Sequence, residues 1–170
     1  MPAPYAVQVI PGDWQQRVDE LWASFDEQDE ASFLARMDEL AAELPAESPE
    51  AAFERASAFD STGRSDEAVP LYRLALERGL DGLRRRRAVI QLASSLRNLG
   101  AAEESVSLLS AERAAGSDEL DDAVTAFLAL ALVDTGRERE AASLALRALS
   151  GHLPRYQRSL ANYAREIGRE

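Results

Sequence analysis

One stretch of this 170-residue sequence carries polar side chains at the spacing of a single helical face. Residues three and four positions apart lie on the same side of a helix. The residues with this spacing are Arg87, Gln91, Ser94, Arg97 and Asn98. Their side chains can donate hydrogen bonds, and a planar guanidinium suits a carboxylate or a backbone carbonyl of a bound segment. The pattern predicts a polar stripe that binds a peptide.

The two arginines of this stripe allow a second interpretation. Arg87 and Arg97 could instead pair with Glu54 and Asp60 on a neighbouring helix, as surface ion pairs commonly do. Each pair would contribute only about 0 to 1 kcal/mol to stability. The sequence leaves both interpretations open. The basic run that begins at Arg84 is expected to be mostly a solvated ridge, with Arg87 alone placed to serve the stripe.

The residue types of the sequence give little indication of catalysis or of metal binding. The chain has no cysteine and one histidine, so it lacks a thiolate nucleophile and a Cys/His metal cluster. The histidine, His152, follows Gly151 between two predicted helices, and no motif places an acid–base partner beside it. We therefore expect no catalytic residue, no metal site and no cofactor, and a protein that is not an enzyme.

The charge balance restricts the class of partner. The chain has 19 basic residues, all of them arginine, and 30 acidic residues, which give a formal net charge of -11. A long-range field of this sign disfavours nucleic acid and anionic membranes as partners. The first 11 residues lack the basic and apolar regions of a signal peptide, and no uninterrupted apolar stretch reaches membrane-spanning length. These features predict a cytoplasmic protein.

The polar stripe must be positioned by helices, because apolar residues recur every three or four positions along most of the chain. This pattern predicts nine helices without a convincing strand, and thus an all-α fold. An extended segment is expected over 1–12, where Val7 and Val9 alternate with other residues, and a single domain over 13–170. The expected hairpins and the C-terminal capping helix span about 13–45, 49–79, 83–115, 118–150 and 154–168.

Small residues recur at hairpin intervals. Gly63, Gly100 and Gly136 lie 37 and 36 positions apart, and a small residue follows each glycine five positions later. Asp29 takes the equivalent position 34 residues before Gly63. A repeat of this length is typical of stacked helix pairs, which form an open-ended array whose first helices line a concave wall.

Three sets of residues share one pattern: Ala56, Phe59, Gly63, Ala68, Tyr72 and Ala75; Ala93, Leu96, Gly100, Ser105 and Leu109; and Ala129, Leu132, Gly136, Ala141 and Ala148. This pattern resembles the tetratricopeptide repeat over residues 49–150, and more weakly over 13–45. It departs from that family at Ala52, Val89 and Thr125, where a large aromatic residue is usual. The stretch 87–100 is also similar to a bacterial subfamily of undefined role. The resemblance implies a right-handed superhelix, an α-solenoid, that binds peptides or proteins along its concave wall.

The helix predicted over about 118–135 is apolar on nearly all sides. Such a helix is normally buried, so we expect its neighbours to enclose it. Alternatively, Phe127 and Leu130 form an apolar floor that a partner helix, a second copy of the chain, or Val7 and Val9 could cover.

The helix that begins after Ser48 is expected to contribute Phe53 and Ser57 to the same groove, with Phe53 and Phe127 as apolar anchors. The sequence thus predicts a protein-interaction module that holds an extended or helical segment of a protein partner. The alternative is a self-associating structural or regulatory protein without a peptide ligand, dimeric through the helix at about 118–135 or through the terminal helix. An enzyme or small-molecule sensor has no supporting motif.

Overall fold

The computed structural model describes residues 12–169, which form nine α-helices and a short 3-10 turn at Phe25–Glu27, with no strand among them. The prediction of an all-α fold is confirmed. The predicted extended segment, with Val7 and Val9, lies outside the described residues except for Gly12. The helices are α1 (Trp14–Ala23), α2 (Glu30–Ala42), α3 (Pro49–Ser61), α4 (Ser65–Glu77), α5 (Gly82–Asn98), α6 (Ala102–Ala115), α7 (Asp121–Asp134), α8 (Glu138–Ser150) and α9 (Gln157–Ile167).

The chain divides into two compact units, Met1–Asp81 and Gly82–Glu170. In the described part of the first unit, α1 packs on α2, α2 on α3, and α3 on α4. In the second unit, α5 packs on both α6 and α7, and each later helix packs on the one before it. Helices that are consecutive in the chain are therefore neighbours within each unit, as in stacked helical hairpins.

The first unit has an aromatic core between α1, α2 and α3. Trp14 and Phe33 are fully buried, and the Trp14 indole Nε1 donates a hydrogen bond to the Leu40 carbonyl at 2.8 Å. Phe25 meets Phe33 edge to face, with ring centroids 4.8 Å apart. The 3-10 turn that carries Phe25 is thus held against the core by its aromatic side chain.

The second unit has an aliphatic core that α7 shares with its neighbours. Small residues at Ala93, Ala131 and Ala141 allow the helix axes to approach closely. The larger side chains of this core are Ile90, Val106, Leu109, Val124, Leu128, Leu132 and Leu144. One side of α7 is therefore buried among α5, α6 and α8.

The three repeated glycines form the same turn. Gly63, Gly100 and Gly136 have φ angles of 78°, 83° and 74°, in the left-handed region that favours glycine. After each glycine, the next amide donates to the carbonyl five residues before it, as from Arg137 to Leu132 at 2.9 Å. The glycine amide donates to the carbonyl three residues before it, so the last turn of each helix keeps its hydrogen bonds.

The turn at Asp29, the position equivalent to Gly63 in the first hairpin, differs from the three glycine turns. Asp29 has an extended backbone, with φ -74° and ψ 153°, and its side chain accepts a hydrogen bond from the Ser32 amide. It is therefore the N-cap of α2, and the 3-10 turn before it replaces the glycine turn. The physical reason is that the left-handed conformation is costly for a residue with a Cβ, whereas aspartate caps a helix well.

Candidate protein-binding surface

The five residues of the predicted stripe lie on one side of α5. This side is opposite to the buried Leu92 and Leu96 at 100° per residue. Three of its members are half-buried and the first and last are exposed. We call these residues the α5 polar row: Arg87, Gln91, Ser94, Arg97 and Asn98.

Arg97 connects this row to α7. Its Nε lies 2.5 Å from Oδ2 of Asp134, and the Arg97 side chain is half-buried whereas Asp134 is exposed. An internal ion pair is thus present, but with Asp134 rather than with Glu54 or Asp60, the partners considered from the sequence. The pair joins the C-terminal ends of α5 and α7, so it fixes how the row lies beside α7.

The predicted enclosure of α7 is wrong for its outer side. Leu130 and Val133 keep 46% and 47% of their surface exposed, whereas Phe127 is half-buried and packs against the core of the second unit. The exposure arises because α7 is covered by α5, α6 and α8 on its other side, while α9 packs on α8. The exposed residues Ala126, Leu130 and Val133 recur at helical spacing and form what we call the α7 apolar stripe.

An aspartate stands at each end of the α7 apolar stripe. Asp134 pairs with Arg97 at the C-terminal end, and Asp122 lies 2.8 Å from His152 Nε2 at the N-terminal end. His152 therefore has an acidic neighbour that no sequence motif had indicated, and both side chains are exposed. The pair ties the loop before α9 to the first turn of α7.

Phe53 and Ser57, predicted to line the groove from α3, are buried and require a correction. Phe53 has no exposed surface and packs against Tyr72, with ring centroids 6.2 Å apart. The Tyr72 hydroxyl donates to Asp60 Oδ2 at 3.4 Å and lies 3.5 Å from Ser57 Oγ. Burial raises the pKa of Tyr72 above its ordinary value. Phe53 belongs to the core of the α3–α4 hairpin, and neither residue offers surface to a partner.

The start of α7 is positioned by an arginine that the sequence assigned to a solvated ridge. Arg86 is buried, and its guanidinium Nη2 lies 2.7 Å from Asp121 Oδ1. Its Nε lies 3.4 Å from Asp118 Oδ1 and 3.8 Å from Glu112 Oε1. This arginine thus anchors the end of α6, the following loop and the first turn of α7 to α5.

The repeat pattern of the sequence contains one feature that indicates these ion pairs of Arg86. Glu112 occupies the position of Ala75 and Ala148 in the neighbouring repeats, 37 and 36 residues away. A buried carboxylate at a position otherwise filled by alanine requires a cation. Arg85 Nη1 also pairs with it at 2.8 Å, and this hydrogen bond raises the pKa of Arg85.

The acidic residue at the first turn of α7 is held in its charged form. Asp121 Oδ2 accepts a hydrogen bond from Ser117 Oγ at 2.5 Å, and Asp121 Oδ1 accepts one from the Asp118 amide at 3.2 Å. The hydroxyl of Ser117, then this amide and Arg86, lower the pKa of Asp121 below its ordinary value of 3.8. A charged Asp121 at the N-terminus of α7 is also favoured by the helix dipole.

The family follows from a comparison of the sequence with family models. A model described as Tetratrico peptide repeat matches residues 49–167, which is most of the chain, so the chain belongs to the tetratricopeptide repeat family. Proteins of this family generally mediate protein–protein interactions. Neither the curated proteins nor the solved structures contain a match to this sequence. No helix within residues 12–169 is long and apolar enough to cross a membrane.

Proposed function

We propose that this chain is a non-enzymatic protein-binding module and that a segment of a partner protein binds the face formed by α5 and α7 in the second unit. Membership of the tetratricopeptide repeat family supports the class of function. We choose this surface because the α7 apolar stripe is exposed beside the hydrogen-bonding side chains of the α5 polar row.

The two rows would contribute different parts of the binding energy. Burial of Leu130 and Val133 by a partner removes apolar surface from water, which is favourable at about 25 cal/mol per Å². The α5 polar row offers donors that orient a backbone or a carboxylate.

The geometry of the stripe suits a short helical or extended segment. Ala126 and Val133 are seven residues apart, about 10 Å along the helix axis. A partner helix that presents two apolar residues on adjacent turns would cover this length. The expected ligand is thus an apolar anchor with polar flanks, held without a cofactor or a metal ion.

The experiment compares two leucines of equal exposure. Leu130 lies on the stripe and Leu149, 49% exposed, lies on α8 outside it. Full-length protein captures partners from a lysate of the source organism, the captured protein is identified by mass spectrometry, and its affinity is measured by calorimetry. We expect Leu130→Ser to weaken binding at least about tenfold, as for a hot-spot residue, and Leu149→Ser to leave it unchanged.

The contribution of the α5 polar row is tested with the same partner. Replacing Arg87 and Arg97 by alanine should weaken binding if their guanidinium groups contact the partner. Equal affinity would mean that the arginines serve only the fold. Equal affinity of the Leu130→Ser and Leu149→Ser variants would contradict the proposed surface, and the absence of any captured protein partner would contradict the proposed function.

A further inference from the structure

The charges of this chain are distributed very unequally. Residues 1–81 contain 18 acidic and 6 basic residues, whereas residues 82–170 contain 12 acidic and 13 basic residues. The formal net charge of -11 is therefore confined to the first half of the chain. The segment 19–30 alone carries six acidic residues and no basic residue, and all six acidic side chains are exposed.

The terminal helix has the opposite charge. Residues 151–170 contain four arginines and two acidic residues, Glu166 and Glu170. Arg155 and Arg158 are exposed and make no ion pair with any of residues 12–169. By contrast, Arg17, Arg55 and Arg78 of the first unit each pair with an acidic side chain. Unpaired basic charge is thus available at α9.

Two exposed tyrosines accompany these arginines. Tyr163 is 63% exposed and Tyr156 is 77% exposed. Tyrosine and arginine are the residue types most often responsible for binding energy at protein interfaces. We call four of these residues the α9 surface: Arg155, Tyr156, Arg158 and Arg165.

The backbone at Tyr156 is unfavourable for a tyrosine. Its φ of 69° is the one positive φ of a non-glycine residue within residues 12–169. Glycine or asparagine would adopt this conformation at lower cost. The side chain contributes little to the core because most of it is exposed. Neither packing nor backbone geometry explains a tyrosine here, which points to a use at the surface.

The apolar side of α9 is already occupied. Ala164 is fully buried, and Leu160 and Ile167 are half-buried. Helix α9 packs on α8 so closely that a Cβ at Gly168 would lie 2.7 Å from Ser143 Oγ. The apolar side is therefore not available for insertion into a membrane, and the exposed charges and tyrosines suit a protein surface.

We propose that the α9 surface binds the acidic segment 19–30 of a second copy of this chain. We choose this occupant because the charges of the two surfaces are complementary. Opposite charges steer the two surfaces together, and like charges oppose other contacts between two copies. The contact joins different surfaces of the two chains, so it is heterologous. It is separate from the α5–α7 face, which stays open to a partner.

The first test is sedimentation of the full chain at low and high ionic strength. Charge-driven association should be strong at about 20 mM salt and weak at about 500 mM salt, because the screening length shortens between them. The variant Arg155→Glu/Arg158→Glu should lower the association constant at least about tenfold. The control Arg113→Glu/Arg147→Glu changes the net charge equally, at two other exposed arginines that form no ion pair within the described part of the chain, and should have a much smaller effect.

The second test restores the contact between two defective chains. A variant with Asp19→Asn, Glu20→Gln, Asp26→Asn and Glu27→Gln keeps its α9 surface but loses most of the acidic segment. This variant and Arg155→Glu/Arg158→Glu should each self-associate far more weakly than the wild-type chain, whereas their equimolar mixture should form a two-chain species. Neutralising four other exposed acids of the first unit, Glu39, Asp66, Glu77 and Asp81, should leave self-association largely intact.

Tyr156→Gly separates binding from folding. The substitution should raise the melting temperature, because it relieves the left-handed backbone, and should lower the association constant. A chain that is strictly monomeric at low salt and high concentration overturns the proposal, as does an equal response to the two arginine double variants. Binding of anionic vesicles or nucleic acid through Arg155 and Arg158 without self-association also overturns it.

Discussion

Arg97 of α5 and Asp134 of α7 form an ion pair, with Nε 2.5 Å from Oδ2, at the point where the polar row meets the apolar stripe. Both side chains are partly exposed, so solvent screens their attraction. The pair therefore does more to align the two helices than to stabilise them. It also shows that an arginine of the binding face can have an internal partner and still border the exposed surface.

The coupling between these two residues should be small. In a double-mutant cycle of Arg97→Ala and Asp134→Ala, we expect an interaction free energy below about 1 kcal/mol, because exposed pairs rarely exceed this value. Urea unfolding of the four proteins measures it. A coupling of several kcal/mol would contradict the description of this pair as solvent-screened.

The repeated glycine turn predicts a contrast between two glycines of the second unit. Gly136 has a φ of 74°, whereas Gly116 is extended and an added Cβ there would meet no atom within 4 Å. Gly136→Ala should lower the free energy of unfolding by about 1 to 2 kcal/mol, and Gly116→Ala should change it by less than about 0.5 kcal/mol. Equal effects in thermal or chemical unfolding would argue against the left-handed turn.

Loss of Arg86 should be far more damaging than loss of an exposed arginine. Arg86→Ala leaves the buried carboxylate of Glu112 with Arg85 alone and frees Asp118 and Asp121 from their common cation. Breaking a buried ion pair costs about 3 to 5 kcal/mol, and we expect a loss of this order. The exposed Arg113→Ala is the control and should be nearly neutral. A near-neutral Arg86→Ala would contradict the proposed anchoring of α7.

The charged form of Asp121 should stabilise the fold in a defined pH range. Its pKa is lower in the folded chain than the ordinary value of 3.8, so its contribution is present above that value and is lost as the pH falls through the folded pKa. Ser117→Ala removes the largest cause of the shift and should raise the pKa of Asp121. An NMR titration of the carboxyl carbon measures this, and an unchanged pKa would contradict the role of Ser117.

Features that depend on local chemistry were predictable from the sequence. Gly63, Gly100 and Gly136, which recur at the repeat interval, all form the left-handed turn between paired helices, because only glycine adopts this conformation without a steric penalty. Ser48 and Pro49 begin α3 as an N-cap and first helical residue, and the Ser48 hydroxyl accepts a hydrogen bond from the Ala51 amide. Such signals are complete within a few residues and do not depend on distant neighbours.

Features that depend on which helix covers which face were not predictable. Periodicity places Phe53 and Leu130 on definite sides of their helices, but it does not say whether a neighbour covers that side. Phe53 is fully buried beside Tyr72, whereas Leu130 is exposed because α8 and not α7 receives α9. Phe53, a predicted anchor, and Leu130, part of the predicted apolar floor, thus had opposite outcomes, although both are apolar residues on the first helix of a pair.

The binding face is tested most directly by methyl NMR of the full chain, titrated with the partner that it captures. We predict that the methyl signals of Leu130 and Val133 shift or broaden on binding, while those of the equally exposed Leu149 on α8 stay in place. Shifts at Leu149 with none at Leu130 and Val133 would contradict the assignment of the α5–α7 face as the partner-binding surface.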